Sequence, residues 1–253
     1  MKKIILYSVL LVLLKSEISY SINTYFFRTS GSGNWNDLIW ERSTDGGATW
    51  GISAVYPLSG DNDTVSTITI RSGHHVNVSS DIEANAIVIQ RGAILTIDSN
   101  YSLTISSDLA FFEMTVDSSA VIDGKGMIRT STALTAVYFG IHKYAYFNAK
   151  IEVVNNYLYI SPLYSDISCS VYNDIKVNTG AGIYFLNNPN RYFVYGDIYS
   201  DGKIITGGCF LVFKGKRFTV NDTCFADTEF DTNCVLDGNG VWKGVYNKIN
   251  RNR

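Results

Sequence analysis

Two neighbouring histidines, in the stretch TIRSGHHVNV, are the residues of this chain whose type best suits metal binding or base catalysis. They are His74 and His75, and the chain has only three histidines in all. The third, His142, lies 67 positions after His75. A metal site needs several converging ligands, and a catalytic base needs a partner that orients it. We therefore expect the pair to occupy a chain corner and a solvent-facing position, without chemistry.

Acidic side chains form the second group that could do chemistry. Asp227, Glu229 and Asp231 alternate along the chain, so they would share one face of a β-strand. Such a face suits a calcium ion, which takes carboxylate oxygens as ligands. A solvated face without an ion is the alternative that we favour, and we expect no cofactor.

The segment STDGGATW, residues 43–50, satisfies the S-x-D-x-G-x-T-W pattern of the Asp-box turn. It resembles the turns that sialidase propellers carry once per blade, away from their active site, but here the pattern occurs once. We expect Asp45 to accept backbone hydrogen bonds and Trp50 to pack beneath the turn. The single copy argues against a sialidase.

The segments VIDGKGMI (121–128) and VLDGNGVW (235–242) share an apolar-Asp-Gly-Lys/Asn-Gly pattern. They resemble structural turns of pectin-degrading β-helix enzymes. Hydrolases of that kind also need paired carboxylates, in an Asn-Thr-Asp, Asp-Asp and Gly-His-Gly set that this sequence lacks. Lyases of that fold need an acidic calcium cluster beside an arginine or lysine base, and none stands out.

Tyrosines are concentrated between residues 138 and 199. Tyr157 and Tyr159 would share one strand face, because side chains at i and i+2 point the same way. On an outer face such tyrosines could stack on sugar rings or on a partner, whereas inside they would be core. Core and edge packing is the favoured interpretation. The best surface-binding candidates are Tyr157, Tyr159, Tyr192 and Tyr195.

The four cysteines lie in the C-terminal third of the chain, and no CxxC or Cys/His spacing indicates zinc. In an exported protein an even count permits two disulfides, with three alternative pairings. Buried thiols that fill an apolar interior are the other interpretation. The residues concerned are Cys169, Cys209, Cys224 and Cys234.

A short repeat defines the elements that must position these side chains. Its pattern is an apolar residue, two of any type, Gly or Asn, two of any type, and an apolar-any-apolar triplet. Matched apolar positions recur after 19 residues, from Ile70 to Ile89, and after 27, from Ile89 to Val116. Copies begin at Ile70, Ile89, Val177 and Ile204, with a weaker copy at Val116.

This repeat predicts short strands separated by sharp bends, with two inward side chains on each strand. Glycine or asparagine at the bends tolerates positive φ. The expected bend residues are Gly73, Gly92, Asn100, Gly180, Gly207 and Gly215. Fixed-period self-similarity indicates a solenoid, so we expect an all-β, right-handed parallel β-helix, with a β-sandwich as the alternative.

The segment before the repeat, residues 31–78, carries aromatic residues suited to covering the open end of a solenoid. We expect Trp35, Trp40, Asp45 and Trp50 to form this cap. The segment resembles the N-terminal segment GNW…W…P…GD.VTI..GH.V.V of secreted and surface β-helix proteins of Bacteroidetes-type bacteria. It is more distantly similar to the extracellular domain named for its eight glycines. The resemblance covers roughly residues 25–105 and implies a fold and an exported location, not a reaction.

Lys2 and Lys3, followed by an apolar stretch from Ile4 to Leu14, indicate a secretory signal peptide. That stretch is shorter than the roughly 20 residues of a membrane span. The expected organisation is a signal peptide (1–21), a capping segment (22–66), a parallel β-helix (67–247) and a disordered or truncated tail (248–253). A formal net charge of −2 gives no reason to expect nucleic acid as a partner.

These patterns favour a secreted or cell-surface module without enzymatic activity. Its expected role is adhesion or the binding of extracellular glycans, so the partner would be a glycan or a host or matrix surface. A polysaccharide lyase or glycoside hydrolase of pectate-lyase-like fold is the alternative.

Overall fold

The computed structural model describes residues 24–58, 64–106, 113–132, 136–163, 168–186, 191–231, 233–244 and 247–249. All regular structure in these ranges is β-strand. The expected signal peptide lies outside the described residues. In the described part of the chain there is no helix long and apolar enough to cross a membrane.

The described residues contain 28 strands, most of them only three or four residues long. Short strands joined by tight bends follow from the frequent Gly, Asn, Asp and Ser residues between apolar triplets. The strands are β1 (Thr24–Thr29), β2 (Gly33–Asn34), β3 (Trp40–Ser43), β4 (Gly51–Ile52), β5 (Thr64–Ile70), β6 (His75–Val78), β7 (Ile82–Ala84), β8 (Ile87–Ile89), β9 (Ile94–Ile97), β10 (Ser102–Ile105), β11 (Met114–Val116), β12 (Val121–Gly124), β13 (Met127–Thr130), β14 (Ala136–Ile141), β15 (Tyr146–Phe147), β16 (Lys150–Val153), β17 (Tyr157–Pro162), β18 (Ser168–Val171), β19 (Ile175–Val177), β20 (Gly182–Phe185), β21 (Arg191–Val194), β22 (Ile198–Ser200), β23 (Lys203–Phe213), β24 (Arg217–Val220), β25 (Thr223–Phe230), β26 (Val235–Asp237), β27 (Val241–Trp242) and β28 (Asn247–Ile249).

The strands stack in three parallel ladders, which we call sheets 1, 2 and 3. Sheet 1 contains β1, β5, β8, β11, β14, β17, β20 and β27. Sheet 2 contains β2, β6, β9, β12, β15, β18, β21 and β28. Sheet 3 contains β7, β10, β13, β16, β19, β22, β24 and β26. The longer strands β23 and β25 belong to both sheets 1 and 2.

The chain visits sheets 1, 2 and 3 in turn and then returns to sheet 1 one layer further on, so the fold is a parallel β-helix. A sandwich of antiparallel hairpins is excluded, because every pairing between successive layers is parallel. The register confirms the expected repeat, since Ile70 pairs with Ile89 and Ile89 pairs with Val116.

Apolar side chains from all three sheets meet along the axis of the coil. On each strand buried residues alternate with less buried ones, as on β6 and β9. In sheet 1 one inward row runs through six layers, and every side chain in it is almost completely buried. This row is Ile68, Ile87, Met114, Phe139, Ile160 and Phe185.

Three of the expected bend residues, Gly73, Gly92 and Gly180, have φ angles of 76°, 71° and 78°. Ser119, at the same place in the weaker copy, also has positive φ, at 57°. An L residue there is strained, so glycine is favoured at this corner.

The other three expected bend residues do not have positive φ, although Asn100 and Gly215 do lie at bends. Asn100 lies in a turn but is not among the residues with positive φ, and at Gly207 the positive φ belongs instead to its neighbour Gly208. Gly215 serves a different purpose, because a Cβ there would lie 2.2 Å from the carbonyl oxygen of Gly196. Close approach of two layers, and not backbone handedness, therefore excludes a side chain at Gly215.

The N-terminal end of the coil is covered by aromatic side chains. Trp35 and Trp40 are fully buried and pack against each other with ring centroids 5.1 Å apart. The indole N–H of Trp35 donates to the carbonyl oxygen of Pro57 at 3.0 Å, and that of Trp40 donates to the carbonyl oxygen of Trp35 at 2.8 Å. The two indole rings therefore bury a large apolar area while each indole N–H keeps a hydrogen-bond partner.

The expected capping segment also contributes to the coil itself. Strand β1 pairs with β5 and β2 pairs with β6, both in parallel, so the first layer begins within residues 22–66. The antiparallel pairs β1–β3 and β3–β4 lie beside this first layer. At the other end β28, from Asn247 to Ile249, pairs with β25, so part of the expected tail is strand.

In the copy of the repeat that begins at Ile204, the expected inward residues are Phe210 and Val212, and for Phe210 this expectation is wrong. The register of β23 against β25 shifts between Ile205 and Phe210. Leu211 and Phe213 belong to the core and Val212 is also buried, while Phe210 is exposed. Such an irregularity reverses the alternation of side chains beyond it.

All four cysteines are thiols in the structure, so the disulfide alternative is not the one observed. Cys169, Cys209 and Cys224 are buried, and Cys234 is half-buried. The Sγ atom of Cys209 donates to the carbonyl oxygen of Phe185 at 3.1 Å. Burial raises the pKa of the Cys209 thiol to about 11 and that of Cys224 to about 12. The thiols therefore act as small apolar side chains of the interior.

Candidate functional site

The paired histidines lie at a corner of the coil, where sheet 1 gives way to sheet 2. A ring nitrogen of His74 lies 2.7 Å from the hydroxyl of Thr29, and one of His75 lies 2.8 Å from the hydroxyl of Thr96. His75 is exposed on the outer face. Among the described residues no three His, Cys, Asp or Glu side chains are placed to hold a metal ion.

The Asp-box turn has the geometry expected from its sequence. The Asp45 carboxylate accepts from the Ser43 hydroxyl at 2.6 Å and from the backbone N–H of Thr49 at 2.9 Å. These bonds, first that from Ser43, hold the pKa of Asp45 well below its usual range. The Trp50 indole donates to the carbonyl oxygen of Gly47 at 2.8 Å, and the Arg28 guanidinium lies 4.2 Å from its ring centroid. The motif is therefore a structural turn.

The alternating carboxylates lie on the outward side of β25 and in the residue after it. Glu229 lies 3.9 Å from the Arg191 guanidinium, and Asp231 lies 3.5 Å from the Lys214 ammonium group. Glu229 and Asp231 thus each face a cation of this chain. The observed arrangement is that of a charged surface, not a converging set of carboxylates for calcium.

Three tyrosines stack on the outer face of sheet 1, and we call them the sheet 1 stack: Tyr138, Tyr159 and Tyr184. Each pair of neighbouring rings is separated by 4.7 Å between centroids, the spacing of adjacent strands. Tyr157 meets Tyr184 edge-on at 5.3 Å. All are partly buried, and burial, followed by the neighbouring Tyr184, raises the pKa of Tyr159. Tyr157 and Tyr159 are thus mainly packing residues.

A second stack, which we call the edge stack, follows the corner between sheets 2 and 3: Tyr146, Tyr172 and Tyr195. Its ring centroids are 4.8 Å apart in both pairs. The three residues are 41%, 38% and 44% exposed. Since neighbouring rings cover each other's faces, the stack presents ring edges and hydroxyl groups to solvent. Tyr195, one of the expected binding residues, is thus on the surface. It stacks on Tyr172, which in turn stacks on Tyr146, and both are distant from it in sequence.

Tyr192, by contrast, is wrongly predicted as a binding residue. It is only 1% exposed, and its hydroxyl donates to the carbonyl oxygens of Ile160, at 3.0 Å, and of Leu186. On β21 the inward residues are Tyr192 and Val194. Burial accordingly raises the pKa of the Tyr192 hydroxyl far above its usual range.

A shallow depression of about 330 Å³, which we call the basic hollow, lies on the same corner as the edge stack. It is lined by side chains from successive layers, among them Asp81, Tyr101, Lys125, Arg129 and Lys150. These residues are widely separated in sequence, and no motif groups them, since Lys125 belongs to the segment VIDGKGMI, which was interpreted as a structural turn. The strand register brings them together, since Ser102 pairs with Met127 and Met127 pairs with Lys150 in successive layers.

An ion-pair network borders the basic hollow on the outer face of sheet 3. The Glu152 carboxylate accepts from the Arg129 guanidinium and from the Lys176 ammonium group, each at 2.8 Å. Burial would raise the pKa of Glu152, but the hydrogen bonds from Lys176 and Arg129 outweigh it, and the pKa is lowered. With two cations around one anion, the trio keeps one positive charge.

No protein-family model, curated protein or solved structure matches this chain. The geometry of the outer surface therefore carries the functional argument.

Proposed function

We propose that this chain is a secreted or cell-surface β-helix module that binds extracellular glycans and serves adhesion, without cleaving its ligand. The observation that carries the proposal is the edge stack. Three aromatic side chains, each about two-fifths exposed, are aligned along one edge, and clustered exposed apolar surface is a feature of interaction sites.

The shape of the coil supports a linear ligand. Solenoids present extended surfaces along their axis, and the rings of the edge stack repeat with centroids 4.8 Å apart. Tyrosine loses little conformational entropy on binding, because it has only two side-chain torsions. A row of tyrosine edges and hydroxyls can thus make both apolar contacts and hydrogen bonds with successive sugar units.

Binding is favoured over cleavage by the position of the one described carboxyl group whose pKa is raised. This group is Glu113, which is 1% exposed. A catalytic acid must come within hydrogen-bond distance of its substrate, and a side chain so deeply buried does not reach one.

The test is a glycan-array screen of the purified chain, run with a reducing-sugar release assay on every glycan that binds. We expect binding without release. Replacing Tyr172, the central ring of the edge stack, by alanine should weaken binding at least tenfold, whereas Tyr159→Ala in the sheet 1 stack is the matched control and should leave it unchanged. Release of reducing ends, or equal effects of the two variants, would contradict the proposal.

A further inference from the structure

The basic hollow lies on the same edge of the coil as the edge stack. Lys150 follows Tyr146 by four residues in the same layer, and Lys125 and Tyr101 belong to the two preceding layers. Layers are about 4.8 Å apart, so three of them extend roughly 10 Å along the axis. A chain molecule lying on the edge stack would therefore continue into the basic hollow.

The charge of the basic hollow is opposite to that of the whole chain. Neither Lys125 nor Lys150 has an ion-pair partner among the described residues, and the Arg129 trio adds one further positive charge. Asp81 offsets one of these charges. Its carboxylate accepts from the backbone N–H and the hydroxyl of Ser102, which lower its pKa. A net positive hollow remains on a chain whose formal charge is −2.

The hollow is also lined by a partly exposed aromatic residue. Tyr101 is 37% exposed, and unlike the tyrosines of both stacks it makes no ring contact with another described aromatic residue. Its backbone is held by hydrogen bonds to Asp98, at 3.0 Å, and from Met127, at 3.2 Å. An exposed tyrosine with a fixed backbone can offer a ligand both an apolar ring and a hydroxyl group.

We infer that the basic hollow binds an acidic sugar unit, with Lys125 and Lys150 facing its carboxylate or sulfate group and Tyr101 facing its ring. This inference rests on the proposed glycan binding and names its ligand class, an anionic polysaccharide. The neighbouring carboxylates Asp98 and Asp123 keep their negative charges, but they do not line the hollow, and each accepts from an asparagine amide.

The test compares three probes by isothermal titration calorimetry at 50 mM and 500 mM NaCl: oligogalacturonate, dextran sulfate and neutral dextran. The two acidic probes distinguish a carboxylate from a sulfate ligand. We expect tight binding of at least one acidic probe, weakened by salt because partly exposed charges are screened.

The decisive variant is Lys125→Gln/Lys150→Gln, and Lys203→Gln/Lys243→Gln, which removes two exposed charges beside sheet 1, is the matched control. Each surface ion pair contributes up to about 1 kcal/mol, so the first variant should lose roughly tenfold in affinity for the acidic probe and the control should lose none. Tyr101→Ala should weaken binding of the same probe.

The outcomes separate the two proposals. Binding of neutral dextran that depends on Tyr172, without binding of either acidic probe, would overturn the acidic-sugar inference and leave glycan binding standing. Acidic binding that is equally weakened by both lysine variants would overturn it as well. Failure of all three probes and of the glycan array would overturn both proposals.

Discussion

Glu113 and Tyr138 are joined by a single hydrogen bond, in which the backbone N–H of Tyr138 donates to Oε2 of Glu113 at 2.6 Å. The other carboxyl oxygen, Oε1, is buried without a hydrogen-bond partner. Burial therefore raises the pKa of Glu113 from 4.5 to about 7, against the lowering effect of the Tyr138 bond. A carboxyl group on the outside of a sheet strand is thus a neutral acid over much of the acidic range.

This pKa predicts that the protein becomes less stable as the pH rises from 4.5 to about 7. In that window the folded chain holds a proton that the unfolded chain has released, so the free energy of unfolding falls with pH. The contribution is complete below pH 4.5, is lost by about pH 7, and amounts to roughly 3 kcal/mol at about 1.4 kcal/mol per pKa unit.

Glu113→Gln should remove this slope and should be more stable than the wild type at pH 8. Urea unfolding at several pH values between 4 and 8 measures both effects. Parallel curves for the two proteins across this range would refute the assignment to Glu113.

Glu152 should show the opposite pH dependence. Its pKa is lowered in the folded chain, so its stabilisation is present above the ordinary pKa of 4.5 and is lost as the pH falls through the lower, folded-state value. Because Arg129 and Lys176 are each about half exposed, we expect Glu152→Gln to cost only about 1 to 2 kcal/mol at pH 7. The deficit should shrink as the pH falls below 4.5, and a constant deficit at pH 7 and pH 3 would count against the ion pairs.

Gly92 and Gly124 both have positive φ, so alanine substitutions at these two positions distinguish the cost of backbone strain from the cost of a steric clash. At Gly92 a Cβ would meet nothing within 4 Å, whereas at Gly124 it would lie 2.1 Å from the carbonyl oxygen of Ile97. We expect Gly92→Ala to cost about 1 to 2 kcal/mol, the usual cost of left-handed backbone, and Gly124→Ala to cost several times more. Urea unfolding of both variants measures the difference, and equal costs would show that the layers can separate at Gly124.

Tyr192 offers a test of burial against binding. Tyr192→Phe removes the donor to Ile160 and Leu186 but keeps the ring. The Ile160 carbonyl oxygen still accepts from the backbone N–H of Leu186 at 2.9 Å, so the variant should destabilise the fold by about 1 to 3 kcal/mol through the carbonyl oxygen of Leu186, which loses the donor. Glycan binding should not change, because the side chain is inside the coil. Loss of binding at unchanged thermal stability would reverse this assignment.

The repeat made the fold predictable from the sequence. Ile70, Ile89 and Val116 were matched by type and spacing alone, and the structure pairs them in successive layers. The pattern succeeds because one apolar axis imposes the same inward positions on every layer. It fails at Phe210, where the shift in register reverses the alternation and no residue type announces it.

The candidate site was only partly predictable. Tyr195 was recognised as a surface candidate, but Tyr192 was not distinguished from it, because both belong to one short strand region and inward or outward direction depends on register. Lys150 and Tyr101 carried no signal and Lys125 was interpreted only as part of a structural turn, since each comes from a different layer and single lysines on a surface are common. Glu113 was also missed, because burial of an outward-facing residue depends on packing around it.

Because the register between layers is regular, one whole layer of the coil can be removed without changing the pairing of the strands on either side. Tyr157 pairs with Gly182, so excising residues 157–181 would join Asn156 directly to Gly182. Strand β14 would then meet β20 with Phe139 opposite Phe185, which keeps both aromatic rings on the axis. Deleting one complete layer thus keeps the strand ladders in register. Deleting one residue more would shift the register by one, so that inward side chains of the following strand would point outward.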